Sequence, residues 1–190
     1  MAKDQREALL ETGVALVHAR GFGATGVREI TAAAGVPQGS FTNHFRSKEA
    51  FGILLLDRYA ARIDGIMRET LGNEVLPPAK RLTAYFDQIA TNAAALEWQR
   101  GCLMADLSAE IASHGEALRM RLREALERQS ARFEAVVGLV FPGEDADLGA
   151  VVLAAWHGTL LRTKVEQTPE AIDRFRRVLA RLIASRQTEG

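Results

Sequence analysis

One cysteine, four histidines, no net charge and no long apolar run: what this chain of 190 residues lacks narrows it before any motif is read. A lone cysteine, Cys102, cannot form a disulfide within one subunit. No His or Cys pair stands at ligand spacing, so neither a metal site nor a cofactor is expected. A thiol enzyme built on Cys102 would need a histidine base and an orienting group. His114 and His157 exist, but nothing else of such a signature does, so no catalytic residue is assigned and the chain is not expected to be an enzyme. No eighteen consecutive apolar residues occur, and Met1 to Arg6 lacks the apolar centre of a signal peptide. A soluble, cytoplasmic protein without a membrane partner is expected. Lys and Arg (24) balance Asp and Glu (24), so the strongly basic footprint of many nucleic-acid-binding domains is missing. The distribution is less even. From Met1 to Lys48 the basic residues Lys3, Arg6, Arg20, Arg28, Arg46 and Lys48 face Asp4, Glu7, Glu11 and Glu29, leaving a small positive excess that the remainder cancels. Any affinity for a polyanion should be modest and salt-dependent per subunit, and should need two subunits acting together.

What is present is helix-forming sequence that can bury a core, 47% apolar and 25% charged. No strand alternation or internal repeat is found. The periodicity predicts an all-α chain of about nine helices. The first runs over residues 4–20, with Leu9, Gly13 and Leu16 or Val17 inward, and ends at Gly21. A helix over 48–71 is broken by Gly72-Asn73, and another starts at Pro77-Pro78 and reaches Trp98. Arg100-Gly101-Cys102 precedes a helix through Ser113, and His114-Gly115 separates it from one over 116–141. The last two cover 147–166 and 169–185.

The densest signal lies between Thr25 and Phe51. Val27, Ile30 and Ala34 make one apolar stripe of a short helix, and Gly35 can take the positive φ that ends it sharply. Pro37 is suited to open the next helix. Phe41 and Phe45, four apart, anchor its inner face. Its outer face carries Gln38, Gly39, Ser40, Thr42, Asn43 and His44, short polar groups suited to base edges and phosphates. Ser47 is an N-cap without the full capping box, since Ala50 stands where Glu would complete it. Lys48, a cation in a first helical turn, suits a phosphate better than the helix dipole. In this helix-turn-helix reading the helix from Pro37 to His44 enters the major groove while Thr25, Arg28 and Lys48 grip phosphates. Arg28 is alternatively a surface arginine beside Glu29, and His44 alternatively packs within the protein.

Gly21-Phe22, Thr25, Glu29-Ile30, Ala34-Gly35-Val36, Gly39-Ser40-Phe41, His44-Phe45 and Ser47-Lys48-Glu49 together resemble the TetR family of transcriptional regulators. The resemblance covers about fifty residues closely and the rest in helical character and length. It implies a DNA-binding domain over 1–48 and a helical regulatory and dimerisation domain over 49–190. It also implies a homodimeric repressor on palindromic double-stranded operator DNA, released by an effector. Two residues depart from the pattern. Thr42 stands where an aromatic is usual and Thr31 where alanine is usual, which bears on which operator contacts are made.

The last two helices carry the oligomer expectation. Leu148, Val151, Val152, Ala155, Trp156, Thr159 and Leu160 span more than half a helix circumference, too wide for one core contact. Ile172, Phe175, Val178, Leu179 and Leu182 add a second stripe. Leu148, Val152, Ala155, Thr159, Phe175, Val178 and Leu182 are the candidate two-fold interface, which the resemblance implies is a four-helix bundle. The alternative is that both stripes complete one subunit's core.

The effector is sought in the middle of the chain. Cys102, next to a glycine at a helix start and near Arg100, has its thiolate favoured. The stretch Arg100-Gly-Cys-Leu, with the Gly-Val-Pro-Gln-Gly-Ser-Phe form of the DNA motif, is similar to the NemR-like electrophile-sensing branch. Sensing would proceed through an adduct, a sulfenic acid, an intersubunit disulfide or capture by Lys164. Alternatively Cys102 is an apolar filler, and a non-covalent ligand enters a cavity lined by Tyr85, Phe86, Ile89, Trp98, Leu103, Leu107, Trp156 and Leu160, many of which also serve as core. A transcriptional activator remains open. A helical interaction protein without DNA binding would leave the polar face from Gln38 to His44 unexplained.

Overall fold

The computed structural model describes residues 2–110 and 115–187. Among these residues there are nine helices and no strand. They run α1 (Ala2–Arg20), α2 (Val27–Ala33), α3 (Gly39–His44), α4 (Lys48–Glu69), α5 (Pro78–Ala94), α6 (Leu103–Glu110), α7 (Glu116–Val140), α8 (Leu148–Glu166) and α9 (Glu170–Gln187). The expected extension of α6 through Ser113 and the break at His114 fall outside the described residues. By compactness the chain forms two units, Met1–Ala61 with Leu103–Ala125, and Arg62–Cys102 with Leu126–Gly190.

In the first unit α1 buries Leu9, Leu10 and Val17, while Leu16 stays half-buried, so Val17 is the inward residue of the two considered. Gly13 is what lets α1 and α4 meet. A Cβ there would stand 2.5 Å from the Phe51 ring and 3.0 Å from Leu55. Gly52 performs the same service for Phe22, whose ring would be 2.6 Å from an added Cβ. Asp57 on α4 accepts from Arg121 Nε on α7 at 2.6 Å.

The second unit is organised around aromatic rings. Phe86 lies 4.8 Å from Trp156 and 4.9 Å from Phe175, centroid to centroid, and Tyr85 meets Phe133 edge-on at 5.0 Å. Such tilted and edge-on pairs are the favoured ring geometries. Leu82, Leu153, Leu160, Ile172 and Leu179 complete this core. α8 and α9 are closely packed neighbours. Gly149 at the start of α8 sits where any side chain would collide with the backbone of Glu134 on α7.

Candidate nucleic-acid interface

The turn between α2 and α3 follows from Gly35. Its φ of +65° lets the N–H of Gly35 reach the carbonyl of Ala32 (3.1 Å) and the N–H of Val36 reach that of Thr31 (3.0 Å). These two bonds make a Schellman motif, and Val36 follows it into the core, 8% exposed. Two orphan carbonyls of α2 are thereby satisfied and the chain is turned toward α3. Thr31, where the resemblance leads one to expect alanine, is also buried, and its hydroxyl donates to the carbonyl of Arg28 at 3.0 Å. The substitution therefore leaves no unpaired polar group in this core.

α3 is seated by three rings. Phe41 and Phe45 lie 5.1 Å apart, and both pack on Phe51 of α4, at 5.1 and 4.7 Å. Phe41 is 3% exposed, Phe45 4% and Phe51 0%, so a six-residue helix that would not form alone in water is fixed by tertiary packing. Pro37 does not open α3. The first helical residue is Gly39, and bonds from Ser40 N to Pro37 O (2.9 Å) and Phe41 N to Gln38 O (3.2 Å) close a tight i→i+3 turn ahead of it. Ser47 acts as the expected cap, accepting from Ala50 N at 3.0 Å.

With the rings inward, Gln38, Gly39, Thr42 and Asn43 are exposed, and Ser40 and His44 half-buried, on the outer side. The Thr42 hydroxyl donates back to the carbonyl of Gly39 at 3.0 Å. His44 sets its ring edge-on to Phe45 at 6.1 Å, so it is partly a packing residue. Glu29 pairs with Arg20 of α1, and Arg28 stands exposed beside it. Thr25 is placed otherwise than a phosphate-gripping side chain requires. It is fully buried and its hydroxyl donates to the carbonyl of Gly21 at 2.7 Å, so it shapes the turn before α2. Lys48 is half-buried, with Nζ 4.8 Å from the Phe22 ring centroid and 3.3 Å from the carbonyl oxygen of Gly23. Burial lowers its pKa, against an opposing effect from the Glu110 carboxylate. Two cations outside the expected set belong to the same surface. Arg6 of α1 lies over the Phe45 ring at 5.7 Å and Arg46 is exposed just after α3. Nothing in the order of residues links Arg6 on α1 to the end of α3; only the fold brings them together.

The candidate interface residues of the second unit divide by exposure. On α8, Leu153, Trp156 and Leu160 point into the core, while Ala155 is exposed and Leu148, Val152 and Thr159 are half-buried. On α9, Val178 is 57% and Leu182 52% exposed, with Phe175 half-buried between α8 and the aromatic core. Two open grooves run along this helix pair. Leu148, Val152, Leu179 and Leu182 line one, and Ala155, Thr159, Phe175 and Val178 the other. The seam is apolar along its middle and flanked by the Glu166 carboxylate, which both Arg162 and Arg174 hold at 2.9 Å.

The expected sensor residues are mostly packed. Cys102, Tyr85, Phe86, Trp156 and Leu160 are buried in the second unit, and Leu103 and Leu107 in the first. Ile89 is half-buried, and so is Trp98, in a turn where both it and Glu97 take positive φ, +61° and +52°. Gly101 lets the backbone before Cys102 approach α8 closely, since an added Cβ would stand 3.3 Å from the carbonyl of Leu160. Burial, reinforced by the neighbouring Cys102 sulfur, pushes the Tyr85 phenol well above its usual pKa. The phenol therefore stays protonated beside the sulfur. In the same unit the indole Nε1 of Trp156 and Oε1 of Gln129 are buried with no hydrogen-bond partner among the described residues. No group of three or more metal-ligating side chains occurs among the described residues, and no helix among them is long and apolar enough to cross a membrane.

Comparison with known proteins extends this picture along the chain. Residues 9–51 match the family of bacterial regulatory proteins, tetR family, and residues 78–178 match the C-terminal domain of LmrA/YxaF-like transcriptional regulators. The HTH-type transcriptional repressor DhaR of Mycobacterium sp. (strain GP1) is 34% identical over 177 residues, 90% of this chain and 87% of that one. The HTH-type transcriptional repressor NemR of Escherichia coli (strain K12) is 32% identical over 90% of this chain and 89% of its own length. The crystal structure of a regulatory protein TetR from Rhodobacter sphaeroides superposes with a TM-score of 0.88 at 27% identity, covering 92% of this chain and 96% of that one.

Proposed function

The chain belongs to the TetR family of transcriptional regulators, and from that premise we propose that it is a homodimeric repressor of a palindromic operator, released by a small ligand or a reactive electrophile or oxidant. The observation that carries this reading is the outer face of α3. Gln38, Gly39, Thr42 and Asn43 are exposed on a helix whose other side is locked by Phe41, Phe45 and Phe51. Base-reading amides need a rigid mount, because ordering a mobile helix on DNA would cost binding energy. Arg28, Arg46, Lys48 and Arg6 supply phosphate contacts around it, and the Thr25 hydroxyl shapes the turn leading into α2.

Two-fold pairing through Leu148, Val152, Ala155, Thr159, Phe175, Val178 and Leu182 would bury the apolar seam of α8 and α9. It would also present two copies of α3 to half-sites about 34 Å apart. The weak positive charge of the amino-terminal segment makes this pairing part of the affinity. Repression follows when a bound dimer blocks polymerase. An effector that favours a non-binding form ~100-fold weakens operator binding by about 2.7 kcal/mol.

Mobility-shift titration on the DNA upstream of the gene should show one palindrome occupied by a dimer. Gln38→Ala and Asn43→Ala should each weaken specific binding by ~1–3 kcal/mol and leave the melting curve unchanged. No shift with any genomic fragment would remove the repressor reading, and unchanged affinity in both variants would move the reading face elsewhere.

For release, a thiolate at Cys102 attacking an electrophilic carbon would lodge an adduct in a packed interior beside Tyr85. The burial of Cys102, 6% exposed, favours a second reading in which it is core and the ligand binds non-covalently. Operator release by N-ethylmaleimide in wild type but not in Cys102→Ser supports sensing. Equal release by both supports the second reading.

A further inference from the structure

The last described residue of α6 is a carboxylate that holds the amino-terminal helix-turn-helix segment. This residue, Glu110, accepts from the backbone N–H of Phe22 with Oε1 at 3.2 Å and from that of Gly23 with Oε2 at 2.7 Å. These groups lie on the turn between α1 and α2, 88 and 87 residues away in sequence. The turn is shaped for this contact. Gly21 takes a φ of +89°, and any Cβ on it would collide with the Glu110 carboxylate. From the other side Lys48, the first residue of α4, donates to the carbonyl of Gly23 and covers the Phe22 ring. Gly23 is thus gripped at its N–H by α6 and at its C=O by the start of α4. A carboxylate accepting two backbone N–H bonds is a charge-assisted clasp, stronger than a pair of neutral hydrogen bonds.

We propose that Glu110 is a positioning residue for DNA binding: by holding the α1–α2 turn, and with it Lys48, it sets the DNA-contacting side chains around α3 in the pose that binds. The proposal rests on the reading of α3 and Lys48 as the DNA-contacting surface. It assigns a role to the stretch that starts beside Cys102, since α6 begins at the next residue. Glutamine keeps one acceptor oxygen but turns an NH2 donor toward the other N–H, whereas aspartate keeps both oxygens but falls one methylene short.

The test uses the full-length wild type and its Glu110→Ala, Glu110→Asp and Glu110→Gln variants. Each is titrated on one operator duplex over a range of salt, and amide exchange of Phe22 and Gly23 is followed in the DNA-free protein. Glu110→Ala and Glu110→Asp should both bind at least tenfold more weakly and exchange both amides at least tenfold faster. Their slope of log Kd against log salt should fall by about 1, the signature of one lost phosphate contact, as Lys48 loses its seat. Glu110→Gln should also weaken binding, and its two amides should exchange unequally because only one keeps its acceptor. The proposal is overturned if Glu110→Asp or Glu110→Gln matches wild type, or if affinity falls with exchange and slope unmoved. Should Glu110→Ala not fold, the Asp and Gln variants decide alone. A wild type that binds no duplex would instead refute the DNA-binding reading itself.

Discussion

Replacing Gly13 with alanine should destabilise the protein, although alanine is the better helix former. In a helix interior the change is worth about 0.5–1 kcal/mol in favour of alanine. Against that, the new methyl would stand 2.5 Å from the Phe51 ring and 3.0 Å from Leu55. Phe51 is fully buried and packed on both Phe41 and Phe45, so the ring cannot swing aside without moving α3. Overpacking a filled core by one methyl costs about 1–3 kcal/mol. The net expectation is a loss of ~0.5–2 kcal/mol, or a melting temperature lower by roughly 2–6 °C for a chain of this size. Gly138→Ala is the matched control. It lies exposed on α7 with no neighbour within 4 Å of an added Cβ, and should raise stability by ~0.5–1 kcal/mol. Calorimetry on the three proteins reads both shifts, and operator titration should show Gly13→Ala weakened because the seat of α3 is disturbed. If Gly13→Ala is stabilised as much as Gly138→Ala, the packing of Phe51 against α1 is wrong, and so is the account of how α3 is held.

Two further outcomes follow from the second unit. Burial lowers the His157 pKa from 6.5 to about 4, so the folded protein resists protonating it while the unfolded chain does not. Stability should be fully present above pH 6.5 and decline as the pH falls toward 4, by at most roughly 3 kcal/mol, and denaturant titrations of His157→Gln should lack that part of the slope. Val178→Asp and Leu182→Asp change residues more than half exposed in the subunit, so helicity and subunit fold should survive. Each change appears twice across a two-fold interface, and sedimentation should show monomers with weakened operator binding. Dimers that sediment like wild type would put the interface elsewhere.

Contacts between residues close in sequence were the legible ones. The turn at Gly35, the cap at Ser47 and the inward Phe41 and Phe45 depend on neighbours within a few positions, where periodicity and backbone preference decide the outcome. The start of α3 was misread locally, because a proline can precede a tight turn as readily as it opens a helix. Thr25 has the residue type of a surface hydroxyl, and only the folded turn puts the Gly21 carbonyl within its reach. Trp98 looked like the end of a helix, but α5 stops at Ala94 and the turn that follows forces two positive φ values. Glu110 left no trace in the sequence at all. A carboxylate at the end of an amphipathic helix is ordinary surface until the fold brings a turn from 87 residues earlier against it. The wide apolar stripe of α8 indicated two buried faces, but only the structure separates Trp156 and Leu160, which face inward, from Val152 and Ala155, which line the open seam.

The central claim is that two copies of α3 read one duplex symmetrically, and hydroxyl-radical footprinting on the upstream DNA tests it most directly. The account predicts two protected half-sites related by a dyad, their centres about one helical turn apart, with protection lost in the Gln38→Ala, Asn43→Ala double variant. A single asymmetric protected stretch, or protection that survives the double variant, would contradict it.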